Sequence, residues 1–170
     1  MCIRDRWMTL LDYQKERIFT FLSPEADVLG TGWNIAQSKI AIGSGQLFGK
    51  GYMEGSQSQL DFIPESHTDF IFAVIVEEFG FFGALVLFLL YAYLIFRLLY
   101  VAKMSKSKFA KLVSGTLSII LAAYIALNIS MVVGIFPVVG MPLPFISQGG
   151  TALVVNMITI GIILSLRRTT

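Results

Sequence analysis

The fold is decided by residues 112–166, which read LVSGTLSIILAAYIALNISMVVGIFPVVGMPLPFISQGGTALVVNMITIGIILSL. No side chain in this run is formally charged. A helix that crosses a bilayer needs about 20 apolar residues, so the run holds two spans and a connector. Pro137, Pro142 and Pro144 lie in its middle. Proline removes a backbone donor and breaks helices, so these prolines mark the connector.

A second apolar run completes the predicted organisation. Residues 79–96 are uncharged and rich in Leu and aromatic side chains, which predicts a further span. The predicted segments are a foreign or unstructured start at 1–10, an extracytoplasmic loop with amphipathic helices at 11–68, spans at 69–102, 112–136 and 148–166, a basic loop at 103–111, a Pro-rich outer loop at 137–147 and a tail at 167–170.

The composition supports an all-α polytopic membrane protein. Of the 170 residues, 55% are hydrophobic and 14% are charged, and the mean hydropathy is +0.73. Soluble domains carry about 25% charged residues. The one cysteine excludes an internal disulfide framework. A nucleic-acid partner is not expected, because no soluble face carries a basic patch.

The basic residues predict the orientation. They cluster between the first two spans and after the third, at Arg97, Lys103, Lys106, Lys108, Lys111, Arg167 and Arg168. The positive-inside rule places both clusters in the cytoplasm. The C-terminus is then cytoplasmic, while residues 1–69 and the connector share the outer face.

The densest polar cluster, residues 64–69, enters the first span from outside. Glu65, His67 and Asp69 alternate along it. A carboxylate at an apolar membrane mouth is suited to general-base catalysis. Two other interpretations are open from these residues: Thr68 or Asp69 could cap the helix, or the three alternating groups could hold a structural metal.

Four further charged residues are candidates for function. Glu77 and Glu78 lie inside a predicted span, where ionisable groups usually face protein interior, an ion pair or a wet cavity. Lys39 and Lys50 lie among glycines in the outer loop. Such backbone approaches a phosphate closely and lysine pairs with it, although both lysines could equally be solvated loop residues.

The polar residues inside the second and third predicted spans have a structural interpretation. Asn128, Ser130 and Asn156 are surrounded by apolar residues. Such groups are more often interhelical hydrogen-bonding residues than substrate contacts.

Five stretches resemble one known family. They are residues 37–45 (QSKIAIGSG), 48–51 (FGKG), 55–60 (GSQSQL), 64–73 (PESHTDFIFA) and 137–150 (PVVGMPLPFISQGG). In this order and spacing they are similar to the SEDS (shape, elongation, division, sporulation) family of cell-wall glycosyltransferases, and within it to the rod-elongation branch. The resemblance runs from about Leu11 to the end. Gln148 and Thr151 depart from the usual Tyr and Ser.

The resemblance implies a fold, an activity and a site. The family has ten spanning helices, of which this chain would hold the last three and the loop before them. Members polymerise lipid II, an undecaprenyl-pyrophosphate-linked disaccharide-pentapeptide, into glycan strands. The essential aspartate of the family falls on Asp69. Residues implied to bind substrate or support that aspartate are Lys39, Lys50, Glu65, His67, Ser147, Gly149 and Gly150.

The resemblance also implies partners and a location. A class B penicillin-binding protein and the elongation complex are the expected protein partners, in the bacterial inner membrane. Asp69 could act as a base or hold a divalent cation, Mg²⁺ or Mn²⁺, and no organic cofactor is expected. Three helices are not expected to be active alone. A lipid II flippase and a non-catalytic scaffold for the penicillin-binding protein are the competing functions.

Overall fold

The computed structural model describes residues 31–55 and 68–168, and this part of the chain contains four helices and no strand. The helices are α1 (Thr31–Gly45), α2 (Ile71–Met104), α3 (Lys108–Val133) and α4 (Gly150–Arg168). The predicted all-α class is confirmed. The predictions for the start at 1–10, most of the outer loop, Glu65 and His67 lie outside the described residues.

Two of the helices are long and apolar enough to cross a membrane. They are α2 and α3, with mean hydropathies of 2.3 and 2.1 over their most apolar windows. The apolar part of α4, Gly150–Leu166, is shorter and lies at the lower limit of about 17 residues for a spanning helix. The outward sides of all three carry large exposed apolar side chains.

The helix boundaries differ from the predicted ones. Helix α3 begins at Lys108 rather than 112 and ends at Val133 rather than 136. Lysines can extend the helix because their long stems let the ammonium group reach water. The end comes early because Gly134 adopts a left-handed conformation (φ 80°) and closes the helix through its N–H to Met131, before Pro137 is reached.

Helices α2 and α4 are each shifted by two residues from the prediction. Helix α2 spans 71–104 instead of 69–102, and α4 spans 150–168 instead of 148–166. Residues 68–70 form a turn before α2, here called the entry turn. The carbonyls of Thr68 and Asp69 accept hydrogen bonds from other segments instead of continuing the helix.

Helix α2 is broken at Gly80. This residue has φ 67° and ψ −160°, which is not helical. Residues 81–104 alone would be about 36 Å long at 1.5 Å per residue, enough to cross a hydrocarbon core of about 30 Å. The segment before Gly80 is therefore free to run in a different direction.

The loop after α1, residues 46–51, closes the break and is here called the clasp loop. Two of its N–H groups donate to carbonyls before the break, and two of its carbonyls accept from N–H groups after it. The bonds are Lys50 N–H to Glu77 (3.0 Å), Gly51 N–H to Glu78 (3.1 Å), Phe81 N–H to Gln46 (3.0 Å) and Phe82 N–H to Leu47 (3.3 Å). The clasp loop thus satisfies the polar groups that the broken helix leaves open.

Three glycines allow this close backbone contact. A Cβ on Gly45 would meet the carbonyl of Val76, and one on Gly49 would meet the carbonyl of Glu78. A Cβ on Gly80 would meet the backbone of the clasp loop. Because these neighbours are backbone atoms, they cannot move aside as a flexible side chain would. Helix α1 and the clasp loop are therefore fixed against α2.

Candidate functional site

Asp69 lies in the entry turn, with 8% of its surface exposed. The N-cap of α2 is Phe70, so neither Thr68 nor Asp69 occupies the capping position. The N-cap side chain makes no capping hydrogen bond. Asp69 is thus a carboxylate held largely away from solvent at the start of α2, and its catalytic role stays a prediction.

The backbone of the entry turn is held from two directions. The Ala73 N–H, which in a regular helix would donate to Asp69, donates to Phe70 instead (2.9 Å). The Asp69 carbonyl accepts from Asn128 Nδ2 of α3 at 3.1 Å. The Thr68 carbonyl accepts from the Ser147 hydroxyl of the connector. Segments that are 59 and 79 residues apart in sequence thus meet at Asp69.

The connector, residues 137–147, forms the wall beside the Asp69 carboxylate. Gly140 has φ 76°, and a Cβ added there would lie 3.4 Å from Asp69 Oδ2. The Met141 carbonyl accepts from the same Asn128 amide, and Tyr91 of α2 donates to the Pro144 carbonyl at 2.6 Å. These contacts place the entry turn and the connector at the same end of the helices, and the assignment of that end to the outer face of the membrane stays a prediction.

The structure places Lys39 at the end of α3. A Cβ on Gly134 would contact the Lys39 Cε and Nζ atoms, so the lysine side chain crosses the C-terminal cap. A cation is favourable there because helix carbonyls point outward. Lys39 itself is largely exposed, and its role toward a pyrophosphate stays a prediction.

Lys50 and Glu77 form an ion pair. The Lys50 Nζ lies 2.9 Å from Glu77 Oε1, and the Glu77 side chain is fully buried. The expectation that Glu77 faces protein interior is therefore confirmed. Glu78 accepts from the Met53 N–H at 3.3 Å. These contacts assign the Lys50 side chain to the α2 break, while its predicted contact with substrate is not tested.

The remaining predicted residues lie in the connector, at the start of α4 or outside the described part. Gly149 packs near Ala152 and Pro142, and a Cβ on Gly150 would meet open space. Gly150 is the first residue of α4. Ser147 is brought to the entry turn, whereas Glu65 and His67 belong to the undescribed segment.

Sequence reasoning missed the parts played by Asn128 and Gly140. The sequence predicts a hydrogen bond between helices for Asn128; this residue instead joins α3 to the entry turn and to the connector. Gly140 is one of several glycines in and around a proline-rich loop. Its place between two prolines is typical of a turn, but its contact with Asp69 could not be inferred from spacing.

Comparisons with known proteins agree with this architecture. A family model for FtsW, RodA and SpoVE, described as "Cell cycle protein", matches residues 3–170. Peptidoglycan glycosyltransferase MrdB of Escherichia coli K12 is 53% identical over 161 residues, which cover 94% of this chain and 44% of MrdB. The chain thus spans less than half the length of this curated relative.

Solved structures of similar fold have related descriptions. One has a TM-score of 0.75 and 29% identity, covering 95% of this chain and 44% of that chain. Its description reads "Structural coordination of polymerization and crosslinking by a peptidoglycan synthase complex". A mutant of the rod shape determining protein RodA from Thermus thermophilus has a TM-score of 0.60 and 30% identity, covering 72% and 38%. With the family model matching nearly every residue, the chain belongs to the FtsW/RodA/SpoVE family, the SEDS family.

Proposed function

We propose that the protein containing this chain is a peptidoglycan glycosyltransferase that polymerises lipid II into glycan strands during cell elongation. The observation that carries the proposal is the buried Asp69 carboxylate, held where the entry turn, α3 and the connector meet. Relatives of this chain are named peptidoglycan glycosyltransferases. Since the chain spans less than half of those relatives, the activity belongs to the whole protein.

The chemistry is an inverting glycosyl transfer. The acceptor hydroxyl oxygen attacks the anomeric carbon of the donor sugar, and the bond from that carbon to the pyrophosphate breaks. Asp69 takes the proton of the attacking hydroxyl, and the lipid pyrophosphate leaves. General-base catalysis of this kind contributes about 10²- to 10⁴-fold. Lys39 is the candidate for neutralising the pyrophosphate charge.

Holding a divalent cation is the alternative role that we propose for the same carboxylate. Among residues 31–55 and 68–168, no group of three or more His, Cys, Asp or Glu side chains is arranged to hold a metal. Mg²⁺ often binds through one or two carboxylates together with waters and substrate phosphates. Asp69 would supply the protein ligand for Mg²⁺ or Mn²⁺, and the cation would neutralise charge on the pyrophosphate.

The proposal includes a place and a partner. The apolar helices and the basic residues at their turn favour the bacterial inner membrane, with the C-terminus in the cytoplasm. A class B penicillin-binding protein of the elongation complex is the proposed partner. The similarity in fold to a chain of a peptidoglycan synthase complex, in which polymerization and crosslinking are coordinated, supports this choice.

The experiment grafts residues 11–170 onto the N-terminal part of E. coli MrdB, purifies the chimera with the penicillin-binding protein and assays polymer formation from lipid II. The variants are Asp69→Asn and, as a matched carboxylate control, the exposed Glu54→Gln. We expect polymer from the parent chimera and Glu54→Gln, and none from Asp69→Asn at equal expression and folding. The chain alone should give no polymer.

Other outcomes would favour the competing functions. Equal polymer from Asp69→Asn would remove Asp69 from the mechanism. No polymer from a well-folded parent chimera supplied with accessible lipid II would favour a flippase, which moves substrate without joining it, or a scaffold for the penicillin-binding protein.

A further inference from the structure

Asn128 occupies an unusual position in α3. Its side chain has no exposed surface, and its Nδ2 donates to two main-chain carbonyls in different segments. One is the carbonyl of Asp69 in the entry turn (3.1 Å), and the other is the carbonyl of Met141 in the connector. One amide group therefore ties the backbone that carries the carboxylate to the loop that forms its wall.

The orientation of this amide follows from its neighbours. Carbonyl oxygens accept hydrogen bonds and cannot donate, so the nitrogen must face both of them. Turning the amide over would place Oδ1 against two other oxygens. Oδ1 itself is buried and finds no donor among the described residues. A buried acceptor without a partner is costly, and the two bonds that the amide nitrogen makes offset this cost.

One of the two bonds, the one to the Asp69 carbonyl, replaces a regular helical bond. In a continuous helix the Asp69 carbonyl would accept from the Ala73 N–H, which here donates to Phe70 instead. Asn128, which lies in α3, donates to the Asp69 carbonyl in place of Ala73. The direction of the Asp69 Cα–Cβ bond, and with it the side of the turn that the carboxylate faces, therefore depends on α3.

The carboxylate faces Gly140, the neighbour of the second tethered carbonyl. A Cβ at Gly140 would already be 3.4 Å from Asp69 Oδ2. The Ser147 hydroxyl provides a separate bond from the same connector to the Thr68 carbonyl. The entry turn and connector are thus joined on both sides of Asp69, and Asn128 is the member of this arrangement that comes from a membrane helix.

We propose that Asn128 is a positioning residue for Asp69, because its amide fixes the entry turn and the connector in the relative position that aims the carboxylate at the substrate. The inference rests on the proposed function. It predicts that loss of the amide donors slows the chemical step with little effect on substrate binding, because Asn128 is fully buried and reaches the site through two main-chain carbonyls. A misplacement of about 1 Å can reduce a rate by about 100-fold.

The test uses the MrdB chimera with its penicillin-binding protein partner and purified lipid II. The variants are Asn128→Ala, which removes both donors, and Asn128→Ser, which keeps one hydroxyl donor. Ser118→Ala is the matched control, because Ser118 is also fully buried in α3 and donates at 2.7 Å to a carbonyl, but within its own helix (Ser114). kcat and KM are measured per folded molecule, with the folded amount taken from size-exclusion chromatography.

We expect kcat to fall roughly 10- to 100-fold in Asn128→Ala, to recover in part in Asn128→Ser, and to stay at the parent value in Ser118→Ala, with KM within about twofold throughout. If Asn128→Ala does not fold, Asn128→Leu, which has a similar shape and no donor, provides the same comparison. An unchanged kcat per folded molecule in the Asn128 variants would overturn the inference, as would an increase in KM that accounts for the whole loss.

Failure of the inference and failure of the proposed function are distinguishable in the same experiment. If Asp69→Asn is inactive while the Asn128 variants match the parent, Asp69 keeps its role and the positioning role of Asn128 is wrong. If Asp69→Asn makes polymer at the parent rate, the proposed role of Asp69 fails, and the positioning role of Asn128 fails with it.

Discussion

At the scale of single residues, the ion pair between Lys50 and Glu77 has a measurable energetic consequence. The Glu77 side chain is fully buried, whereas Lys50 retains 29% exposure. A buried carboxylate that loses its cation is strongly destabilising, while a pair that is open to water contributes less. This pair lies between these cases, because water reaches the ammonium but not the carboxylate.

The substitution Lys50→Met should therefore destabilise the protein by about 2 kcal/mol, a value reduced from that of a fully buried pair because Lys50 is partly exposed. Lys50→Arg should retain most of the stability, since it keeps the charge. The measurement is thermal unfolding of the chimera in detergent, with the fraction that stays folded at each temperature read by size-exclusion chromatography. Lys106→Met, at an exposed position, is the control. Equal melting of Lys50→Met and Lys106→Met would show that the pair contributes nothing.

At the scale of elements, the break in α2 is supported by a loop that precedes the helix in sequence. The segment before Gly80 begins just after Asp69, so its direction determines where the carboxylate lies relative to the rest of α2. The clasp loop provides both the hydrogen bonds and the close backbone contact at the break. A glycine is required at Gly80 because its φ is positive and backbone atoms surround its Cα.

Gly80→Ala should consequently destabilise the fold by at least about 2 kcal/mol, from the left-handed backbone and the collision with the clasp loop. Gly43→Ala in α1 is the matched control, because a Cβ there would meet nothing within 4 Å. It should be neutral or stabilise by up to about 1 kcal/mol, as expected for alanine in a helix. Thermal unfolding of the two chimeras measures both effects. Similar melting temperatures would contradict the requirement for glycine beside the clasp loop.

At the scale of the whole molecule, the proposed function depends on the orientation of the helices in the membrane. Asp69 must face the outside, and the basic turn between α2 and α3 must face the cytoplasm. The entry turn and the connector contact each other, so they share one side. The short turn between α2 and α3 lies at the opposite ends of these helices and is flanked by Lys103, Lys106, Lys108 and Lys111. If the lysines face the cytoplasm, Asp69 faces the space outside the membrane.

Cysteine labelling measures this orientation directly. In a cysteine-free chimera, we expect a membrane-impermeant maleimide to label Val139→Cys in intact spheroplasts and Ser107→Cys only after lysis. Both positions are exposed in the structure, so accessibility from each side decides the result. The reverse pattern would place Asp69 on the cytoplasmic side and contradict polymerisation outside the membrane.

The sequence by itself determined that the chain is helical and where its membrane segments lie. Lipid offers no hydrogen-bond partners, so a long uncharged run must satisfy its own backbone as a helix, and prolines mark where it stops. The motif at Asp69 was also visible, because a polar cluster before an apolar run is a local feature. The predicted helix boundaries were less accurate. Gly134 ends α3 through its left-handed conformation, and hydrogen bonds from α3 and the connector to the entry turn delay the start of α2.

The tertiary structure alone decided how Asp69 is held and how α2 is broken. The donor to the Asp69 carbonyl comes from a residue 59 positions away, and the groups that close the break at Gly80 come from the clasp loop, which precedes α2 in the chain. The conformational preferences of neighbouring residues cannot predict such hydrogen bonds, because these bonds form only once packed helices bring distant backbone groups together. The sequence thus predicted Asp69 as the candidate catalytic carboxylate, and the packing of α3 and the connector decided which segments hold it.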